Sequence, residues 1–290
     1  MPYATTQDGT KLRWKELGQG RPVILIHGWP LSADSWDPIM IKLAEAGYRA
    51  VAYDRRGFGH SDHAPTGYDY DTFADDLAAV MEETGATDDV ALVGFSMGGG
   101  EIARYLSKHS GKGVSQAVLV SSVVPYMLKT DDNPNGVPQA TFDQMTAGMK
   151  KDFRKFFTPF FSDFYGDGIL TDAVSQEEKD WAWMTTMHAS QYATLQAANA
   201  FATTDFRPDL ASFTIPTLVI HGTADKTVPI DATAREVARQ VPGAKLIEYD
   251  GEPHAVFATQ TERLGDDIVA FLGQGGRSAG AEGGTLAQSV

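Results

Sequence analysis

Short runs of branched apolar residues alternate along this chain with stretches whose apolar positions recur every three to four residues. Val23-Ile24-Leu25-Ile26, Ala50-Val51-Ala52-Tyr53, Val90-Ala91-Leu92-Val93, Ala117-Val118-Leu119-Val120, Leu218-Val219-Ile220 and Lys245-Leu246-Ile247-Glu248-Tyr249 read as strands. Between them, Trp36 to Ala46, Thr72 to Glu83, Gly98 to Ser107 and Ala232 to Gln240 read as helices. Near the start, Tyr3 to Thr5 and Lys11 to Glu16 flank Gln7-Asp8-Gly9, a hairpin pattern suited to a sheet edge. The alternation predicts an α/β fold with a mostly parallel sheet and helices on both faces.

The rhythm breaks between about Pro125 and Pro216. Pro125, Pro134 and Pro138 come early, no strong strand follows, and Phe153, Phe156, Phe157, Phe160, Phe161 and Phe164 recur at near-helical spacing. We expect a helical cap over about residues 125–215, inserted between two strands of one domain spanning 1–272. Its aromatic rings serve packing first, and collectively they place an apolar pocket under the cap. Phe160 and Trp181 are the expected substrate contacts. From Gly273 to Val290 the composition turns to Gly, Ala and Ser, which predicts a mobile tail.

Composition narrows the chemistry. The 290 residues include no cysteine, which excludes disulfide frameworks, thiolate catalysis and iron–sulfur clusters. A formal net charge of −14 disfavours nucleic acid and anionic membranes as partners. The start, Met1-Pro2-Tyr3-Ala4-Thr5, shows no charged segment leading an apolar run, and no apolar run approaches membrane-spanning length. A soluble cytoplasmic protein is the expectation.

Gly94-Phe95-Ser96-Met97-Gly98 fits G-x-S-x-G, with a strand before it and a helix after it. In that setting the serine projects above the sheet edge, and the free N–H groups of the helix point to the same spot. A serine hydroxyl needs a base. In chain order an acid and then a histidine should follow, each on a loop after a strand. Asp225, in His221-Gly222-Thr223-Ala224-Asp225, and His254, in Gly251-Glu252-Pro253-His254, satisfy this. His254 would deprotonate Ser96, and Asp225 would hold the imidazole. His27 and His221 end strands and read as structural; His60, His63, His109 and His188 read as surface or packing residues. An oxyanion hole needs two backbone donors: Met97 N–H, and Trp29 N–H in His27-Gly28-Trp29-Pro30, because Pro30 has none. The two arginines of Asp54-Arg55-Arg56-Gly57-Phe58-Gly59-His60-Ser61 invite a carboxylate-binding reading, but a turn-holding role is favoured.

Taken with Ser96, Asp225 and His254 in that order, the His27–Pro30, Asp54–Ser61 and Gly94–Gly100 motifs make the chain resemble a serine α/β-hydrolase over roughly residues 1–272. Within that superfamily it resembles the cofactor-free haloperoxidase and perhydrolase group of aryl and carboxyl esterases. The resemblance implies an eight-stranded sheet and a Ser96–Asp225–His254 triad. It implies Trp29 and Met97 as oxyanion donors and no metal or organic cofactor. It makes Pro30 a further expected substrate contact and associates it with perhydrolysis, in which hydrogen peroxide takes the acyl group, and it points to a homo-oligomer. The substrate would be a small ester or a short carboxylic acid. A lactonase or amidase could use the same triad, and a hydrolase-fold ligand receptor could retain it without turnover. Chain length and enantiopreference are not legible from spacing.

Overall fold

The computed structural model describes residues 1–167 and 173–274. Among them, eight strands form one sheet: β1 (Tyr3–Thr5), β2 (Lys11–Leu17), β3 (Arg21–Ile26), β4 (Tyr48–Tyr53), β5 (Val90–Phe95), β6 (Val114–Val120), β7 (Thr217–Gly222) and β8 (Lys245–Tyr249). Their spatial order is β1-β2-β4-β3-β5-β6-β7-β8. β1 pairs antiparallel with β2, and β2 with β4; every pairing from β4 through β3 to β8 is parallel. β5 and β7 are buried at every position. In a sheet this requires cover on both faces, which explains the unbroken apolar runs Val90–Val93 and Leu218–Ile220 within them.

The helices are α1 (Asp37–Glu45), α2 (Tyr70–Glu83), α3 (Met97–Lys108), α4 (Gln139–Lys151), α5 (Phe153–Tyr165), α6 (Gln176–His188), α7 (Gln191–Thr203), α8 (Ala234–Gln240), α9 (Val256–Thr259) and α10 (Thr261–Gly273), with short 3-10 turns at Ala33–Trp36 and Arg207–Ser212. α1 packs on α10, and α2 on α3. Helices α4 to α7 all lie between β6 and β7 in the chain, where the alternation was expected to break. Side-chain caps start α2 (Asp69 to Thr72 N–H), α5 (Asp152 to Lys155 N–H), α6 (Ser175 to Glu178 N–H) and α7 (Ser190 to Ala193 N–H). α10 carries the chain through Gly273, one residue past the expected domain end. The rest of the expected tail, 275–290, lies outside the described residues. No helix among the described residues is long and apolar enough to cross a membrane.

Two buried ion pairs root the loop after β4. Arg56 grips Asp76 of α2 with Nε and Nη2, each at 2.7 Å, and reaches Asp8 Oδ2 with Nη1 at 2.8 Å, tying the hairpin to α2. Arg55 donates to Glu101 of α3, which also accepts from Tyr53. Both arginine side chains are buried, so they hold the fold and do not face a substrate. Burial pushes the Asp76 carboxyl up to about 6, with the Arg56 guanidinium opposing that rise. Arg56→Met would strand this carboxylate. We expect a loss of about 3–5 kcal/mol at pH 8, measured by urea unfolding. The loss should be smaller at pH 5, because the stranded group can then be buried as the neutral acid.

Candidate active site

All the strands from β3 to β8 that bear site loops run parallel, so the loops leaving β3, β5, β7 and β8 open on one rim. Ser96 stands between β5 and α3 with φ 52° and ψ −116°, a backbone conformation a side chain rarely adopts. Close packing fixes it there. A Cβ at Gly94 would meet the Gly98 backbone at 2.6 Å, and one at Gly98 would meet the Ile26 carbonyl oxygen of β3 at 2.5 Å. The first turn of α3 therefore rests directly on the sheet backbone. Ser96 N–H donates to Val120 O at 2.8 Å, which locks the turn to β6.

His254 follows β8 and reaches across the rim. Its Nε2 lies 3.0 Å from Ser96 Oγ and its Nδ1 lies 2.6 Å from Asp225 Oδ2. Asp225 accepts hydrogen bonds only, so Nδ1 carries the proton and Nε2 presents its lone pair to the serine hydroxyl. The imidazole packs against Phe95, with centroids 4.9 Å apart, and against Phe164 of α5 at 5.1 Å. Asp225 Oδ1 accepts from Thr227 N–H at 2.9 Å and Val228 N–H at 2.8 Å. Burial alone would raise the Asp225 carboxyl. The facing His254 and His221 outweigh it and hold the group well below the usual carboxylate range.

The loop after β3 passes against Ser96: a Cβ at Gly28 would meet the Phe95 ring at 2.5 Å and Ser96 Cβ at 3.1 Å. Arg55 secures this loop, donating from Nη2 to His27 O at 2.7 Å, while His27 Nε2 accepts from Arg55 N–H at 3.0 Å. Trp29 is buried beside Ser96, and its indole N–H donates to Thr194 O of α7 at 2.9 Å. Met97 is the first residue of α3, so its N–H has no acceptor within the helix.

Ser96 and His254 open into a cavity of about 450 Å³ lined mainly by Trp29, Val123, Met127, Phe142, Met145, Phe156, Phe160, Phe201 and Val228. Phe160 lines this cavity, edge-on to Trp29 with centroids 5.4 Å apart. Trp181 does not. It lines a separate cleft with Asp34, Ser35, Pro38 and Phe257, because α6 packs on α5, while α4, α5 and α7 supply the cap residues of the Ser96 cavity. Pro30 is buried next to Trp29 and is not among the cavity-lining residues. Sequence reasoning missed the α4 and α7 contacts, Phe142, Met145 and Phe201, whose approach to Ser96 depends on how the cap folds back. It also missed Glu101, whose one signal was a charge set between Gly98-Gly99-Gly100 and Ile102-Ala103 in the first turns of α3.

The family model described as alpha/beta hydrolase fold matches residues 21–261. The chain belongs to that family. The hydrolase is 42% identical over 274 residues to the non-heme chloroperoxidase CPO-A1 of Kitasatospora aureofaciens, covering 94% of this chain and 99% of that one. It is 38% identical to the bifunctional esterase/perhydrolase DCH of Acinetobacter calcoaceticus, covering 94% and 99%. The crystal structure of a bromoperoxidase from Bacillus anthracis superposes with a TM-score of 0.90 at 39% identity, covering 94% of the hydrolase and all of that chain.

Because the Ile26 carbonyl cannot retreat from a Cβ at Gly98 without breaking the sheet, Gly98→Ala should destabilise the hydrolase by about 1–3 kcal/mol. Urea unfolding followed by fluorescence measures this. The same variant should lose esterase activity even where it is fully folded, because lifting α3 moves the serine.

Proposed function

We propose that this hydrolase is a serine carboxylesterase or arylesterase for small esters that also perhydrolyses short carboxylic acids. The observation that carries the reading is the single buried imidazole bridging Ser96 Oγ at 3.0 Å and Asp225 Oδ2 at 2.6 Å on the floor of an apolar cavity. His254 Nε2 takes the Ser96 proton as Oγ attacks the ester carbonyl. Asp225 fixes the tautomer and stabilises the imidazolium that forms. The Trp29 and Met97 amides receive the oxyanion. His254 then protonates the leaving group, the alcohol of an ester or, where a carboxylic acid is the acyl donor, a water molecule, and an acyl-enzyme remains.

Water or hydrogen peroxide, deprotonated by His254, attacks this acyl group, releasing a carboxylic acid or a peracid and restoring Ser96. A released peracid can oxidise halide in solution, which relates the reading to the chloroperoxidase and esterase/perhydrolase names of the relatives. The chain supplies every group these steps use, so no cofactor is required. Pro30, held beside the oxyanion loop, belongs to the perhydrolysis part of the reading. A cytoplasmic setting and a homo-oligomeric assembly are part of it too, the second drawn from the resemblance.

A cavity of about 450 Å³ accommodates a small ligand whole. Across nitrophenyl esters of rising acyl length, kcat/KM should therefore peak at short to medium chains and fall once the acyl group must leave the cavity. Ser96→Ala should lower kcat by about 10⁴-fold or more with an unchanged near-ultraviolet dichroism spectrum. Peracetic acid should form from acetate and hydrogen peroxide with the wild-type protein and not with that variant. A folded Ser96→Ala protein with full esterase activity would sink the mechanism, and ester turnover without peracid would leave a plain esterase.

A further inference from the structure

The Asp225 carboxylate has a second imidazole on it. His221 lies in β7, four residues before Asp225, with its ring fully buried. Its Nε2 is 2.9 Å from Val228 O and 3.1 Å from Asp225 Oδ2. Both neighbours accept and neither donates, so Nε2 must carry the proton, bonding it to Val228 O and facing Asp225 Oδ2. Nδ1 of the same ring is buried and has no hydrogen-bond partner among the described residues. A proton there would be a buried donor without an acceptor, so the surroundings select the Nε2–H tautomer.

With this contact, the carboxylate is ringed by donors. Oδ1 accepts two backbone N–H groups, Oδ2 accepts His254 Nδ1–H, and His221 Nε2 stands 3.1 Å from Oδ2 while donating to Val228 O. Four donor groups thus face the roughly four lone-pair sites a carboxylate offers. His221 is also the only one of the four donors that stands on the sheet. Thr227 and Val228 belong to the same loop as Asp225, and His254 is the group to be held. β7 is anchored on both sides, to β6 and to β8, where His221 registers with Glu248, itself paired to Arg235.

We propose that His221 is a positioning residue for the acyl-transfer reaction: its Nε2–H staples the loop bearing Asp225 to β7 and fixes the direction in which Oδ2 faces His254. The inference rests on the serine-hydrolase reading of the site, but it is tested on the resting protein as well as in turnover. Nitrogen-15 shifts of the histidine-labelled wild-type protein should show His221 protonated at Nε2; an Nδ1–H ring overturns the proposal without any variant.

His221→Leu removes the donor and should lower kcat about 10- to 100-fold with KM changed less than twofold, since a misdirected acid spoils the reaction and not the cavity. The downfield proton resonance of the His254 Nδ1–H bond should move or broaden in the same variant. His221→Gln, whose amide N–H can replace Nε2–H, should restore kcat to within a few fold. Wild-type kcat and an unmoved resonance in a folded His221→Leu protein would overturn the proposal. If that variant does not fold, the wild-type tautomer and the His221→Gln protein decide: a folded Gln variant as slow as Asp225→Asn would count against it. Failure of the serine-hydrolase reading would look different, as full activity in Ser96→Ala with the His221 tautomer unchanged.

Discussion

The first turn of α3 lies on the backbone of β3 and β5 with no side chain between them, and the rest of the site is built around that contact. Gly94 and Gly98 permit it, the Ile26 carbonyl limits it, and the turn between strand and helix has no room for an ordinary conformation at Ser96. The hydroxyl is thereby raised off the sheet. The same contact leaves the Met97 amide, at the first position of the helix, without an intrahelical acceptor. Gly28 extends the pattern, since the β3 loop can pass Ser96 only because a hydrogen stands where a Cβ would strike Phe95.

Charge is distributed in a second pattern. The chain carries a net charge of −14, yet the cavity is lined mainly by aromatic and aliphatic groups, and the ionised groups beneath it are buried with partners in place. Arg55 holds Glu101 and the His27 carbonyl together, and Asp225 is enclosed by two imidazoles and two amides. Interactions inside such a low-dielectric floor act more strongly than at the surface. Donors fixed before reaction need no rearrangement as negative charge develops.

Much of this was legible in the sequence. Apolar runs marked the strands because burial on both faces leaves no polar gap to disguise them. Strand ends were less visible: β6 begins at Val114, where Ser115 and Gln116 look like loop. In the fold Gln116 is buried, donates to Phe271 O at 3.1 Å and accepts from Arg21. Ser96, Asp225 and His254 could be picked out because chain order and strand-end position confine each to a short window, and the structure brings the three within hydrogen-bonding distance. Cap contacts obey no such rule. Phe160 and Trp181 are both aromatic residues of cap helices, and periodicity does not say which helix face meets Ser96. His221 reads as structural at the level of sequence because its ties to Val228 and Asp225 exist only once the loop has closed.

Trp29 belongs to two layers at once. Its backbone sits in the β3 loop rooted through Arg55 in the core, while its ring packs on Phe157, Phe160 and Phe201, and its indole holds the Thr194 carbonyl of α7. The cap is thus moored to the very residue whose amide, in the proposed reaction, receives the oxyanion. A displacement of α7 that widened the entrance would tug on that amide, so admission of substrate and readiness of the catalytic floor share one mechanical linkage. Cap sequence drift would then be felt as altered turnover as well as altered selectivity.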